Sequence, residues 1–230
     1  MDAIREAYEN ISLNFTVEVL GQEYASDVTT LDLSSMTGDQ VAEVAAAVSM
    51  LAELSEIQIM DADGKSNLGL EDVKALKEAA PGVKIPYTFD FFGVKISTGD
   101  EEVHIKNKRI GDENEAQVRL ALDVMDNCKR FILENCKLTN ETMAKIREDY
   151  RDKTKVVWRI WFGKVGSSLT DAQALRAVYD LQDDNCSALY YCEDVRFIDI
   201  GHSDFLDAID FMAGMTKLEA KDKKWSEIFQ

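Results

Sequence analysis

Five short segments each place two apolar residues at alternate positions: Leu31/Leu33, Ile57/Ile59, Val103/Ile105, Phe131/Leu133 and Ile198/Ile200. Runs between them repeat their apolar residues at helical spacing instead. Period two marks a strand and period 3.6 a helix, so the chain has to alternate between them. The successive pairs lie 26, 46, 28 and 67 residues apart. Two intervals suit a strand, a turn and one helix; the other two leave room for inserts.

The helical faces are specific. Val41, Val44, Ala45, Val48 and Leu51 form one, and Val118, Ala121, Leu122 and Met125 another. Asp112 with Glu115 has the spacing of a capping box for the second. A helix at 139–150, capped by Thr139 or Asn140, places Met143, Ile146 and Tyr150 together. Thr170 with Gln173 opens a further helix carrying Leu175, Val178 and Tyr179, and Phe205, Ala208, Ile209 and Met212 repeat the template. The inserts KIPYTFDFFG (84–93) and KVVWRIWFG (155–163) both begin at lysine and end aromatic–aromatic–glycine, so both read as extra strands. A doublet of 72–74 residues accounts for the long intervals.

Cys128, Phe131, Leu133, Cys136 and Leu138 fit the pattern L-x-x-L-x-L-x-x-(N/C)-x-L with apolar equivalents at the leucines. Val195, Ile198, Ile200, Ser203 and Phe205 fit it with serine at the Asn/Cys position, and Val28/Leu31/Leu33 and Leu54/Ile57/Ile59 fit its first half. The chain thereby resembles divergent bacterial leucine-rich-repeat proteins over residues 26–220. That resemblance implies an α/β fold: an irregular βα solenoid with a short parallel sheet on the concave side and helices on the convex side. A capping helix or strand would occupy 1–25 and a polar tail or cap 221–230. It also implies non-enzymatic protein binding in a cell-surface or secreted setting, although MDAIREAYEN is not a signal peptide as written.

Charge narrows the partners. Forty-three acidic against 26 basic residues give −17, which repels phosphate backbones and anionic bilayers. No apolar run reaches membrane-spanning length, so neither nucleic acid nor membrane insertion is expected. On the solenoid reading the binding face carries Thr30, Asp32, Glu56, Gln58, Met60, Glu102, His104, Lys106, Arg130, Ile132, Glu134, Phe197 and Asp199. Its acidic balance favours a basic partner surface. The aromatic inserts offer a second surface if some of Tyr87, Phe89, Phe91, Phe92, Trp158, Trp161 and Phe162 face outward. Self-assembly into a homo-oligomer or a longer array is the alternative.

Chemistry is sparsely signalled. Asp61, Asp63, Asn67 and Asp72 partly follow a calcium-loop pattern, but an Asp/Gly turn explains them equally well. Cys192 beside Glu193 and Asp194 lacks the cationic neighbour that activates a thiol, so buried packing is the expectation, and Cys136 should satisfy turn backbone. His104 should point out of the core, and neither it nor His202 has a nucleophile near in sequence. No cofactor is called for.

Overall fold

The computed structural model describes residues 15–178, 181–201 and 209–219. Its elements run β1 (Thr16–Val19), β2 (Gln22–Ala25), β3 (Thr30–Asp32), α1 (Val41–Val48), β4 (Glu56–Gln58), α2 (Leu70–Ala79), β5 (Thr88–Phe91) and β6 (Val94–Ser97). Then follow β7 (Glu102–Lys106), α3 (Glu115–Val124), β8 (Arg130–Glu134), α4 (Asn140–Asp149), β9 (Lys155–Phe162), β10 (Gly166–Leu169), β11 (Ala174–Arg176) and β12 (Phe197–Asp199). Two compact units result. One runs to Asp100 and includes Leu120–Asn127; the other holds Glu101–Arg119 and the described residues from Cys128 onward. No helix among the described residues is long and apolar enough to cross a membrane.

The expected solenoid is not formed. Leu31 and Ile57 pair in a two-stranded parallel sheet, Val103 and Phe131 in a four-stranded sheet, and Ile198 with Leu175 in a third. The fold is mixed α/β, with several small separate sheets of two to four strands. The cause lies in the inserts. A continuous sheet needs the outer edge of each strand pair to receive the next repeat, but here an insert takes that edge. Lys84 bridges to Glu56 beside β4, and β9 pairs in parallel along β8.

One local pattern recurs three times. Each insert-type strand turns back in an antiparallel hairpin, β1–β2, β5–β6 and β9–β10. A serine or threonine closes each, at Ser26, Thr98 and Thr170, a constant spacing of 72 residues. The Ser26 amide donates to Phe15 O (2.8 Å), Thr98 to Tyr87 O (2.9 Å) and Thr170 to Trp158 O (2.9 Å). In return the amides of Phe15, Tyr87 and Trp158 donate to the three hydroxyls at 3.5, 3.2 and 3.2 Å. A parallel strand pair follows every hairpin, β3/β4, β7/β8 and β11/β12.

The helical patterns mostly hold. Val118, Ala121, Leu122 and Met125 are buried, as are Val41, Val44, Val48 and Leu51. Thr139 caps α4, its hydroxyl accepting from the Thr142 amide at 3.2 Å. Asp112 does not form the expected box; its carboxylate accepts from the Thr139 amide at 2.8 Å, tying one helix start to another. The stretch read as a helix from Thr170 contains β11, because Leu175 and Ala177 bury at strand spacing. Near the C-terminus, Ile209 is exposed and Asp210–Gly214 forms a 3-10 helix, while Phe205 and Ala208 lie outside the described residues. The expected capping helix near 2–9, the tail at 221–230, His202 and Ser203 also lie outside them.

Candidate functional site

Alternation along β7, β8 and β9 buries Val103, Ile105, Phe131, Leu133, Val156, Trp158 and Ile160 on one sheet face. The opposite face carries Glu102, His104, Lys106, Arg130, Ile132, Glu134, Val157, Arg159 and Trp161. Of the residues expected on one binding face, six therefore do meet: Glu102, His104, Lys106, Arg130, Ile132 and Glu134, in register across β7 and β8. The others do not join them. Thr30, Asp32, Glu56 and Gln58 sit on β3 and β4, with Met60 just beyond, and Phe197 and Asp199 sit on β12.

Much of the shared face serves itself. Arg130 donates from Nε and Nη2 to Asp171 at 2.8 and 3.3 Å and from Nη1 to Glu102 at 3.1 Å. Glu134, only 3% exposed, receives Lys106 Nζ at 2.9 Å, Arg159 Nε at 2.8 Å and His104 Nε2 at 2.8 Å. Burial alone would push its carboxyl up, but hydrogen bonds from Lys106, Arg159 and His104 outweigh it and hold the group at about 2. An ionised carboxylate only accepts, so the His104 ring carries its proton on Nε2 here. Ile132 is 1% exposed, so neither it nor Glu134 is offered to a partner.

At the C-terminal ends of β8 and β9 the same unit opens into a groove. A hollow of about 660 Å³ lies between the turn Asn135–Thr139, the start of α4 and the outer half of β9. Left-handed backbone at Asn135 (φ 56°) and Lys137 (φ 65°) shapes the turn, and Asn135 donates to Asn107 Oδ1 at 3.0 Å. Inside the turn, the Cys136 thiol reaches Glu134 O at 3.4 Å and Ile105 O at 3.5 Å, the backbone role expected of it. Trp158 forms the inner wall, its indole NH donating to Asn140 Oδ1 at 2.8 Å. A second hollow of about 510 Å³ shares Asn140 and Glu141 with the first and continues along Tyr190, Tyr191 and Phe211. Two aromatic side chains stand on this rim largely in solvent, Trp161 at 60% exposure and Tyr190 at 50%.

Trp161 is unusual against the chain's own copies. Aligned on their inward residues, the three hairpins bury Val17/Val19, Phe89/Phe91 and Ile160/Phe162. The outward residue between each pair is Glu18, Asp90 and Trp161. Two copies show a carboxylate to water where the third shows its largest apolar side chain. Aromatic content misses this, because Tyr87, Phe89, Phe91, Trp158 and Phe162 are all buried. Laying KIPYTFDFFG against KVVWRIWFG by strand parity is the signal that finds it.

The Asp61 turn uses its oxygens locally. Asp61 Oδ1 accepts from the amides of Asp63 (3.0 Å) and Lys65 (2.8 Å), and Asp72 caps α2 by accepting from Gly69 (2.9 Å). Among the described residues no three His, Cys, Asp or Glu side chains converge to hold a metal. All four cysteines are free and buried, and burial pushes the Cys192 thiol up to about 12. Alkylation of Cys192 in the folded protein should run at least about a hundredfold slower than in urea, followed by mass spectrometry. Equal rates would return Cys192 to the list of reactive groups. No protein-family model matches the chain, and no curated protein does so.

Proposed function

We propose that the chain is a non-enzymatic protein-binding module whose groove takes an extended basic segment of a partner. An apolar residue of that segment packs against Trp161 in the larger hollow. A lysine or arginine a few residues along faces Glu141, Asp183 and Asp210, the three carboxylates lining the smaller one. The observation that carries this reading is the exposure of Trp161 where the sister hairpins expose carboxylates. Exposed Trp and Tyr beside a concavity are the side chains that anchor interfaces. Net charge of −17 favours encounter with a basic partner.

A random peptide library displayed on phage, selected on this chain, tests it. Peptides combining an aromatic or aliphatic residue with a nearby lysine or arginine should be enriched. Their affinity should fall at least about tenfold with Trp161→Ala or Glu141→Lys. Absence of enrichment, or peptides that bind both variants as well as the wild type, would overturn the reading.

A further inference from the structure

β10 lies at one edge of the four-stranded sheet, with β9 on its inner side and no strand on its outer side among the described residues. The ladder with β9 tells which backbone groups point outward. Thr170 donates its amide to Trp158 O, and hydrogen-bonded pairs recur at every second residue of an antiparallel ladder. Ser168 and Gly166 therefore bond back to β9, opposite Ile160 and Phe162, while the amides and carbonyls of Ser167 and Leu169 face away from it. The Leu169 carbonyl accepts from the Ala172 amide at 3.2 Å. The Leu169 amide and both backbone groups of Ser167 remain for the outer side.

An open strand edge is a template for another strand, and charged side chains are its usual guard. The sister hairpins carry that guard. In register, Glu18 faces Glu23 on β2 and Asp90 faces Lys95 on β6, whereas Trp161 faces Ser167 on β10. The β6 edge is closed a second time by Asp100. The Ser97 amide donates to its Oδ2 at 2.9 Å, and the Ser97 carbonyl accepts from its amide at 3.0 Å. Residues 165–169 hold no charge, and Val165 is 72% exposed.

We propose that β10 pairs antiparallel with β10 of a second copy of this chain, about a two-fold axis at Ser167. The pattern is self-complementary: Ser167 faces its own equivalent, and Val165 and Leu169 of one copy face Leu169 and Val165 of the other. The two Ser167 residues exchange backbone hydrogen bonds, and each Leu169 amide donates to the other copy's Val165 carbonyl. The same operation on the sister edges would set Glu23 against Glu23 or Lys95 against Lys95, and like charges directly opposite destabilise a sheet. An isologous contact of this kind closes at two copies. No β10 residue lines either hollow of the groove, so the proposal does not rest on the peptide-binding reading.

Sedimentation velocity of the full chain from micromolar to near-millimolar loading tests it, with amide hydrogen exchange read at both ends of that range. So short a seam makes a weak dimer, and the −17 charge on each copy opposes it, so association should strengthen as salt rises. The amides of Ser167 and Leu169 should gain protection with concentration, and that of Lys95 should not. Ser167→Glu restores the acid of the first hairpin beside Arg159, which already donates to the Ser167 hydroxyl at 3.0 Å, so the fold should survive it, as melting would verify. It should weaken the dimer about fivefold, and Val165→Lys by a similar factor although it lowers the net charge. A chain that stays monomeric, or a dimer that keeps its strength in both variants, would overturn the proposal. So would a monomer in which selected peptides, and not concentration, protect Ser167, which would assign the edge to a partner's strand.

Discussion

Replacing Glu134 with glutamine should destabilise the second unit by about 2–3 kcal/mol at neutral pH, read as a fall in Tm of about 5–10 °C. The carboxyl titrates at about 2 against an ordinary 4.5, so the folded state holds its charged form well over a hundredfold more strongly than the unfolded chain does. Solvent screens Lys106, whose side chain is 54% exposed, and trims the figure. Glutamine keeps the shape but leaves Lys106, Arg159 and His104 converging without an anion. The pH dependence has a definite sign. Because the folded value lies below the unfolded one, the unfolded chain takes up this proton first. The stabilisation is complete above about pH 4.5 and is lost as pH falls toward about 2. The gap between wild type and Glu134→Gln should therefore close across that window. A gap that stays constant on acidification would show that the carboxylate charge is not what holds the cluster.

Gly214→Ala is expected to be the second large effect. A Cβ at Gly214 would stand 1.9 Å from Tyr190 O and 2.8 Å from its carbonyl carbon. Neither is the free end of a flexible side chain. The turn Ser187–Tyr191 has to move away from Asp210–Gly214, carrying Tyr190 off the groove rim. Overpacking of this kind costs about 2–3 kcal/mol, and selected peptides should lose affinity together with stability. Gly21→Ala is the control. It has φ +76° but no atom within 4 Å of the added carbon, so only the backbone preference is lost, about 1 kcal/mol. Equal Tm losses for the two would mean that the Tyr190 contact is not the constraint at Gly214.

Local structure was well written in the sequence, and the pairing of strands was not. Leu31, Ile57, Val103, Phe131 and Ile198 all lie on strands, and Thr139 caps the helix it was expected to cap. Period-two patterning says which way a residue faces but not which edge receives a neighbour. Nothing around Ile57 or Phe131 announces that Lys84 and β9 occupy those edges. Leu175 belongs to two patterns, a helical one with Val178 and Tyr179 and a strand one with Ala177, and only the β12 partner decides between them. The Glu102–Glu134 cluster was legible from alternation. Its self-sufficiency was not, since Arg159 and Asp171 arrive from a hairpin that sequence spacing does not place. The β10 edge carries no motif at all; its oddity is a missing charge, visible only once the three hairpins are laid in register.

A chain that spells one hairpin three times carries its own internal control. Ser26, Thr98 and Thr170 recur at one interval, and the three copies agree in some positions and differ in others. The latch between hydroxyl and backbone is present in all three, while the outward position holds a carboxylate in two and an indole in the third. Shared and unshared positions thus separate what the hairpin needs in order to close from what it is free to vary, and they mark Glu18 and Asp90 as the sites where a tryptophan could be transplanted.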